Sequence, residues 1–399
     1  MLNNFKATAV VSYLGYITQA IMINLVPLLF ATLQNEFAIS LSKLTVLITI
    51  TFVAQLVIDA LSTKLLDKIG YRNAAVFSQF FAFIGLILLS VLPFYIDPYL
   101  GIVIAVVIGS VGTGLTEVVI SPIIEAIPGE KDGKSMNLLH SFYCWGSVFV
   151  VLITVFYLKV FAGISWRFLP LALAIIPFID GILFIFVPIN QLVENEEERM
   201  GIISLLKTPV FLCIMVLMFV CGAAELAVSQ WASYFAEKGL NISKSMGDLI
   251  GPCLFAVLMG TARVVSGSLA KKIGQIQLLI FSSFCLIASY VVIFASTNAI
   301  ISLIGCALCG FFVGAMWPGT LNVSSSMLPK GGTTMFSLAA LMGDLGCTVG
   351  PTMVGMISSM VSGDANGLKT GLMIAIVFPI IALICLMLLK FVFVKRKAQ

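Results

Sequence analysis

Long apolar stretches separated by short polar segments make up almost all of the 399-residue chain. Twelve of these stretches have about 20 residues or more, which is the length at which an α-helix crosses the hydrocarbon core of a bilayer. The most polar run, residues 194–199, separates the sixth stretch from the seventh. The predicted spans are 8–31, 41–63, 73–93, 99–124, 136–161, 166–188, 208–236, 246–268, 275–294, 298–326, 333–360 and 367–391.

This pattern predicts an all-α integral membrane protein with twelve transmembrane helices in two six-helix halves. We expect an N-terminal half at residues 1–190, a cytoplasmic linker at 191–206 and a C-terminal half at 207–399. The composition agrees, because 60% of the residues are hydrophobic and 10% are charged. Soluble domains carry about 25% charged residues, so a soluble class is excluded.

The inventory of reactive residues argues against an enzyme. The single histidine excludes a metal site built from several histidines, and no phosphate-binding glycine loop is present. The nine cysteines are odd in number and lie almost entirely within apolar stretches, so they do not form a disulfide framework. We therefore expect no catalytic residues, no cofactor, no bound metal and no nucleic-acid partner.

Lysine and arginine are distributed unequally between alternate loops, which predicts the orientation. If the N-terminus is cytoplasmic, that side holds fifteen of these residues and the other side six, with Arg263 left within a span. We expect both termini in the cytoplasm and the chain in the cytoplasmic (inner) membrane. The net charge of +4 is explained by this bias.

An internal repeat relates the two halves. Residues 59–70 (DALSTKLLDKIG) align with residues 263–274 (RVVSGSLAKKIG), with five of twelve positions identical. Both copies close the second span of their half. Repeated six-span halves with the substrate held at their interface are the plan of one large class of secondary transporters.

The segment after span 2 carries a recognisable motif. Residues 63–72 (TKLLDKIGYR) resemble the signature of the major facilitator superfamily between spans 2 and 3, G-x-x-x-D-R/K-x-G-R-K/R. Thr63 replaces the first glycine and Tyr71 the first closing basic residue. The resemblance implies the major facilitator fold and gating roles for Asp67 and Arg72, in a tight turn whose charge contacts form in one conformation. An ordinary positively charged cytoplasmic loop is the alternative.

Four further stretches resemble the fucose:proton symporter group of sugar-type facilitators. They are residues 222–234 (G-x-x-E…W…Y), 115–122 (LTEVVISP), 137–146 (NLLHSFYCWG) and 316–320 (MWPGT). In span 1 that group carries an aspartate where this chain offers Asn24. This resemblance implies a sugar-type substrate and symport.

Polar residues inside spans are the candidate site residues, because charge in hydrocarbon is costly. Glu117 in span 4 and His140 at the start of span 5 lie at a similar depth, so they are candidates for exchanging a proton or sharing a polar substrate. A structural acid and a packing histidine are the alternatives. Further candidates for lining a cavity, each equally explained as helix-packing residues, are Gln19, Asn24, Tyr143, Trp317 and Asn322.

Span 7 combines a carboxylate with aromatic rings. Glu225 is followed by Trp231 and Tyr234. This set suits a sugar, whose hydroxyls form hydrogen bonds and whose apolar ring faces stack, and it equally suits an organic cation. Aromatic residues at the membrane interface are the alternative for Trp231 and Tyr234.

Two residues occupy equivalent repeat positions and predict a gate. Asp59 and Arg263 both lie near the cytoplasmic end of the second span of their half, with helix-end snorkelling as the alternative. Asp344, near the middle of span 11, is a candidate partner for Arg263 and a candidate substrate or coupling residue. The sequence offers no account of Asp180 in span 6.

Together these features predict a secondary active transporter of a small polar solute, with a sugar favoured. We expect a monomer in the lipid bilayer that works by symport with H⁺ or Na⁺ and by alternating access. A proton-coupled exporter of drugs or metabolites is the alternative, and a non-transporting receptor or scaffold is a third class.

Overall fold

The computed structural model describes residues 4–127, 134–190, 200–296 and 298–394. Within these ranges twelve helices are long and apolar enough to cross a membrane, which confirms the predicted fold. These spans are span 1 (Phe5–Leu28), span 2 (Leu41–Ile58), span 3 (Ile69–Phe94), span 4 (Pro98–Ile124), span 5 (Leu138–Val160), span 6 (Phe168–Phe186), span 7 (Pro209–Gly239), span 8 (Lys244–Ile273), span 9 (Gln275–Ala295), span 10 (Ala299–Met327), span 11 (Leu338–Met360) and span 12 (Asn366–Phe391). Two shorter helices, Phe30–Phe37 and Ile202–Leu206, lie between spans.

The chain divides into two compact units. Unit 1 comprises Met1–Val193 and Lys244–Leu249, and unit 2 comprises Glu194–Ser243 and Ile250–Gln399. Each unit is a bundle in which apolar side chains pack between helices. Many large apolar side chains on the spans, such as Phe77, Phe186 and Phe284, remain exposed, as expected of surfaces that face lipid.

Prolines explain where three spans are interrupted. A proline has no N–H to donate to the carbonyl four residues earlier, and its ring clashes with that carbonyl. Span 6 is broken after Leu173, span 10 after Gly314 and span 12 after Ala375. In each case the proline, Pro177, Pro318 or Pro379, lies four residues after the break.

The two copies of the repeat end in the same backbone conformation. Gly70 has φ 75° and ψ 155°, and Gly274 has φ 89° and ψ 143°. Side chains with a Cβ atom are strained at such angles, so glycine is required at both positions. The predicted turn at 63–72 is shorter than expected, because the backbone is helical from Leu41 to Val91 except at Gly70.

Close helix approach depends on glycines. Span 7 packs against span 11, where a Cβ on Gly222 would collide with the carbonyl of Gly343. In unit 1 the backbones of Gly85 and Gly109 allow spans 3 and 4 to approach in the same way. Small residues at helix contacts are typical of membrane bundles.

Candidate functional site

A pair of polar contacts joins spans 1 and 4 in unit 1. The amide Nε2 of Gln19 donates a hydrogen bond to Oε2 of Glu117. One turn away, the hydroxyls of Tyr16 and Ser121 are 3.0 Å apart. Residues 16 and 19, and likewise 117 and 121, are three or four positions apart, so each pair shares one helix face.

Span 5 completes this group. The rings of His140 and Tyr16 meet edge to face, with centroids 5.3 Å apart. Nδ2 of Asn24 donates to Oγ of Ser147 at 3.2 Å, and Oγ of Ser147 donates to the carbonyl of Tyr143 at 3.0 Å. The structure therefore brings five predicted residues onto three contacting spans. We call the set Asn24, Gln19, Tyr16, Glu117, Ser121, His140, Tyr143 and Ser147 the N-terminal polar cluster.

The N-terminal polar cluster combines a carboxyl with neutral donors and acceptors. Glu117, His140, Asn24 and Tyr143 are each partly exposed. Hydroxyl, amide and imidazole groups form hydrogen bonds with a polar solute, and a carboxyl also accepts a proton. Three of its members, Tyr16, Ser121 and Ser147, are not among the residues predicted from the sequence. Their spacing of three or four positions from Gln19, Glu117 and Tyr143 is the available signal.

Unit 2 contains a buried ion pair between spans 7 and 8. Nη2 of Arg263 lies 3.4 Å from Oε2 of Glu225, and both residues are 7% exposed. Opposite charges that have left water stabilise each other, and removal of one partner leaves the other uncompensated. The guanidinium of Arg263 lies against Glu225. Its pairing with Asp344 stays a prediction.

Trp231 connects spans 7 and 11. Its ring is completely buried, and Nε1 donates a hydrogen bond to the carbonyl of Pro351 at 2.9 Å. The rings of Trp231 and Tyr234 meet nearly at right angles, with centroids 6.1 Å apart. In this conformation Trp231 therefore holds two helices together. Its stacking on a sugar stays a prediction.

Span 10 contributes Trp317 to the same part of unit 2. The Trp317 ring packs against Gly343 of span 11, where a Cβ atom would collide with it. The next residue, Asp344, is 6% exposed. Asn322 lies one and a half turns further along span 10 and is exposed. Spans 7, 10 and 11 thus meet around Gly222, Gly343 and Trp317.

Comparison with known families identifies the chain. The profile of the Major Facilitator Superfamily matches residues 12–351. The chain belongs to the major facilitator superfamily. No curated protein matches the sequence significantly. As a member of this superfamily, the chain is a transporter of small molecules and not an enzyme.

Solved structures of other transporters share this fold. A D-xylose:proton symporter has 15% sequence identity and a TM-score of 0.75, with 95% of this chain and 96% of that chain covered. A bacterial homologue of the human lysosomal transporter Spinster has 14% identity and a TM-score of 0.77, with 98% of both chains covered. The fucose:proton symporter of E. coli has 15% identity and a TM-score of 0.66, with 95% of this chain and 97% of that chain covered.

The predicted gating residues of this major facilitator have different surroundings. Nη1 of Arg72 donates to the carbonyls of Phe184 at 2.9 Å and Ile185 at 2.6 Å. Arg72 therefore satisfies carbonyl groups at the C-terminal end of span 6, which a helix leaves without partners. The side chains of Asp59 and Asp67 lie outside the described residues. Gating by Asp59, Asp67, Arg72 and Arg263 stays a prediction.

Proposed function

We propose that this transporter carries a small polar solute of the sugar class by cation-coupled symport and alternating access. It acts as a monomer in the cytoplasmic membrane with both termini in the cytoplasm, and the coupling ion is H⁺. Support comes from the match to the superfamily profile and from the fold shared with proton symporters of D-xylose and fucose. The loop charges support the orientation.

The hydrogen bond from Gln19 to Glu117 is the observation on which this proposal rests. A carboxyl held by a neutral amide gains a proton without leaving a fixed positive charge unpaired. When Glu117 is protonated, the N-terminal polar cluster is neutral and suits a solute rich in hydroxyl groups. When Glu117 is ionised, its charge within the membrane is costly and favours a conformation with access to water.

Unit 2 contains charged groups that we assign to solute binding. The pair of Glu225 and Arg263 offers charge-assisted hydrogen bonds, which are stronger than neutral ones. Sugars present closely spaced hydroxyls that donate to a carboxylate and accept from a guanidinium. We therefore assign Glu225 to solute binding and Glu117 to coupling.

The first experiment identifies the solute. Purified protein is screened by thermal shift against sugars, sugar alcohols and cationic drugs, because a ligand that binds only the folded state stabilises it. The stabilising compound is then offered to proteoliposomes under an imposed proton or sodium gradient. We expect a sugar to accumulate with the proton gradient. Accumulation of a cationic drug driven by an outward proton gradient would instead establish an exporter.

The second experiment tests Glu225. Glu225→Gln removes a charged acceptor, and we expect solute binding to weaken by about 1–3 kcal/mol. Isothermal titration with the sugar from the screen measures this change. Glu237→Gln is the matched control, since Glu237 lies near the end of the same span. Equal affinities for both variants and the wild type would remove Glu225 from the binding site.

A further inference from the structure

Asp180 in span 6 is a buried acid that the proposed mechanism does not use. Its side chain is 0% exposed. Neither carboxyl oxygen has a hydrogen-bond partner among the residues that the structure describes. An ionised carboxylate in such a place carries a large desolvation cost with nothing to offset it.

The surroundings of Asp180 have a defined shape. At Gly15 of span 1 the point that a Cβ atom would occupy is 3.5 Å from Oδ2 of Asp180 and 3.4 Å from Nε2 of Gln79 in span 3. The missing side chain at position 15 therefore leaves a notch into which Cδ1 of Ile120 in span 4 packs, beside the acid and the amide. The side chain of Gln79 also lies beside Gly181. A Cβ atom added at Gly181 would be 3.3 Å from Cβ of Gln79.

Other buried polar atoms on spans 1 and 3 also lack hydrogen-bond partners among the described residues. Gln79 is 0% exposed, and its Nε2 lies 3.4 Å from Oγ1 of Thr116, but its Oε1 has no partner. Ser12, one turn before Gly15 on the same face of span 1, is also 0% exposed, and its Oγ has no partner. The Ser12 hydroxyl and the Gln79 amide are both neutral, so neither supplies the positive charge that would offset an ionised Asp180.

Among the described residues, no charged side chain is paired with Asp180. The helices packed against span 6 are spans 1 and 3. Lys6 is exposed at one end of span 1. The other described titratable or charged side chains within those spans are Tyr13, Tyr16, Tyr71 and Arg72. Arg72 is bound to carbonyls at the end of span 6, and Tyr16 to Ser121. Glu117 follows Thr116 in span 4 and adds no positive charge.

We propose that Asp180 is a second proton-binding carboxyl of unit 1, protonated while spans 1, 3 and 6 are packed as in this structure. The carboxylate takes a proton from water and forms an O–H bond, and release reverses this step. The neutral acid then avoids an uncompensated charge at a buried position where neither oxygen has a hydrogen-bond partner among the described residues. The inference rests on the proposed proton coupling and adds a second proton site to it.

Infrared spectroscopy of the full-length protein in lipid tests the proposal without any solute. The carbonyl stretch of a protonated carboxyl is recorded at neutral pH. We expect a band in the wild type that persists in Asp97→Asn, which removes an exposed carboxyl, and in Glu117→Gln. The component of the band that persists in Glu117→Gln should disappear in Asp180→Asn, whose amide has nearly the same shape as the neutral acid. Because no transport is measured, failure of sugar symport does not affect this result.

Two outcomes would overturn the proposal. One is a carboxyl band with the same intensity in the wild type and in Asp180→Asn. The other is a wild-type band that appears in choline chloride and disappears in sodium chloride, which would make the notch a sodium site. If Asp180→Asn does not fold, Gln79→Met serves instead. Loss of the polar amide that lies with the acid around Gly15 should shift the band, and an unshifted band would contradict the assignment.

Discussion

The buried carboxyls of the two units differ in the groups that contact them. In unit 2, Glu225 lies against the guanidinium of Arg263, 3.4 Å from Nη2. In unit 1, Glu117 accepts a hydrogen bond from the neutral amide of Gln19, and Asp180 has no partner among the described residues. A fixed positive charge keeps a carboxylate ionised, whereas a neutral or apolar setting favours the acid.

This difference suggests separate tasks for the two units. A carboxylate that stays ionised is a constant feature of a binding site, while a carboxyl whose charge changes links ion movement to conformation. We therefore propose coupling in unit 1 and charge-assisted solute binding in unit 2. Each prediction below tests one side of this comparison.

The largest effect is expected from breaking the ion pair of unit 2. Arg263→Ala leaves Glu225 buried and unpaired, which should cost about 3–5 kcal/mol of stability. The double variant Glu225→Gln with Arg263→Met removes both charges and should recover most of that loss. Thermal unfolding in detergent measures the series. Lys272→Met, at an exposed position of the same span, should leave the midpoint almost unchanged.

A result against the ion pair would be equally clear. If Arg263→Ala unfolds at the wild-type temperature, or if the double variant is no more stable than the single one, the charges do not depend on each other. Glu225 would then resemble the carboxyls of unit 1, and the comparison would fail.

A smaller effect is expected from packing in unit 2. Gly343→Ala places a methyl group against the rigid ring of Trp317, and such overpacking costs about 1–3 kcal/mol. Gly109→Ala in unit 1 is the matched control, since its methyl group would meet the flexible end of Met22. We expect a lower unfolding midpoint for Gly343→Ala than for Gly109→Ala. A lower midpoint for Gly109→Ala than for Gly343→Ala would show that the Trp317 ring moves readily to accommodate the added methyl group.

Much of the fold follows from local sequence. The twelve spans follow from the length of the apolar stretches, because a helix in lipid must satisfy its own backbone. Breaks in three spans follow from prolines four residues later, as with Pro318 and Gly314. The repeat predicted equivalent positions, and the matching angles at Gly70 and Gly274 agree with it.

Partners across spans could not be predicted in the same way. The contact of Arg263 with Glu225 was not predicted, because which helix faces meet depends on helix rotation and packing. The burial of Trp231 likewise depends on the approach of span 11, where Pro351 supplies the acceptor. Asp180 remained unexplained because its notch is formed by the absence of a side chain at Gly15 in another span.

The most direct test of the central claim compares Glu117→Gln with Glu225→Gln in proteoliposomes, using the sugar from the screen. Uptake driven by an imposed proton gradient and exchange of sugar without a gradient are measured for each variant. Glutamine mimics a permanently protonated carboxyl, so Glu117→Gln should retain exchange but lose accumulation against a gradient. Glu225→Gln should bind sugar more weakly but still accumulate it at saturating concentration. Accumulation by Glu117→Gln at the wild-type level would contradict the assignment of coupling to unit 1.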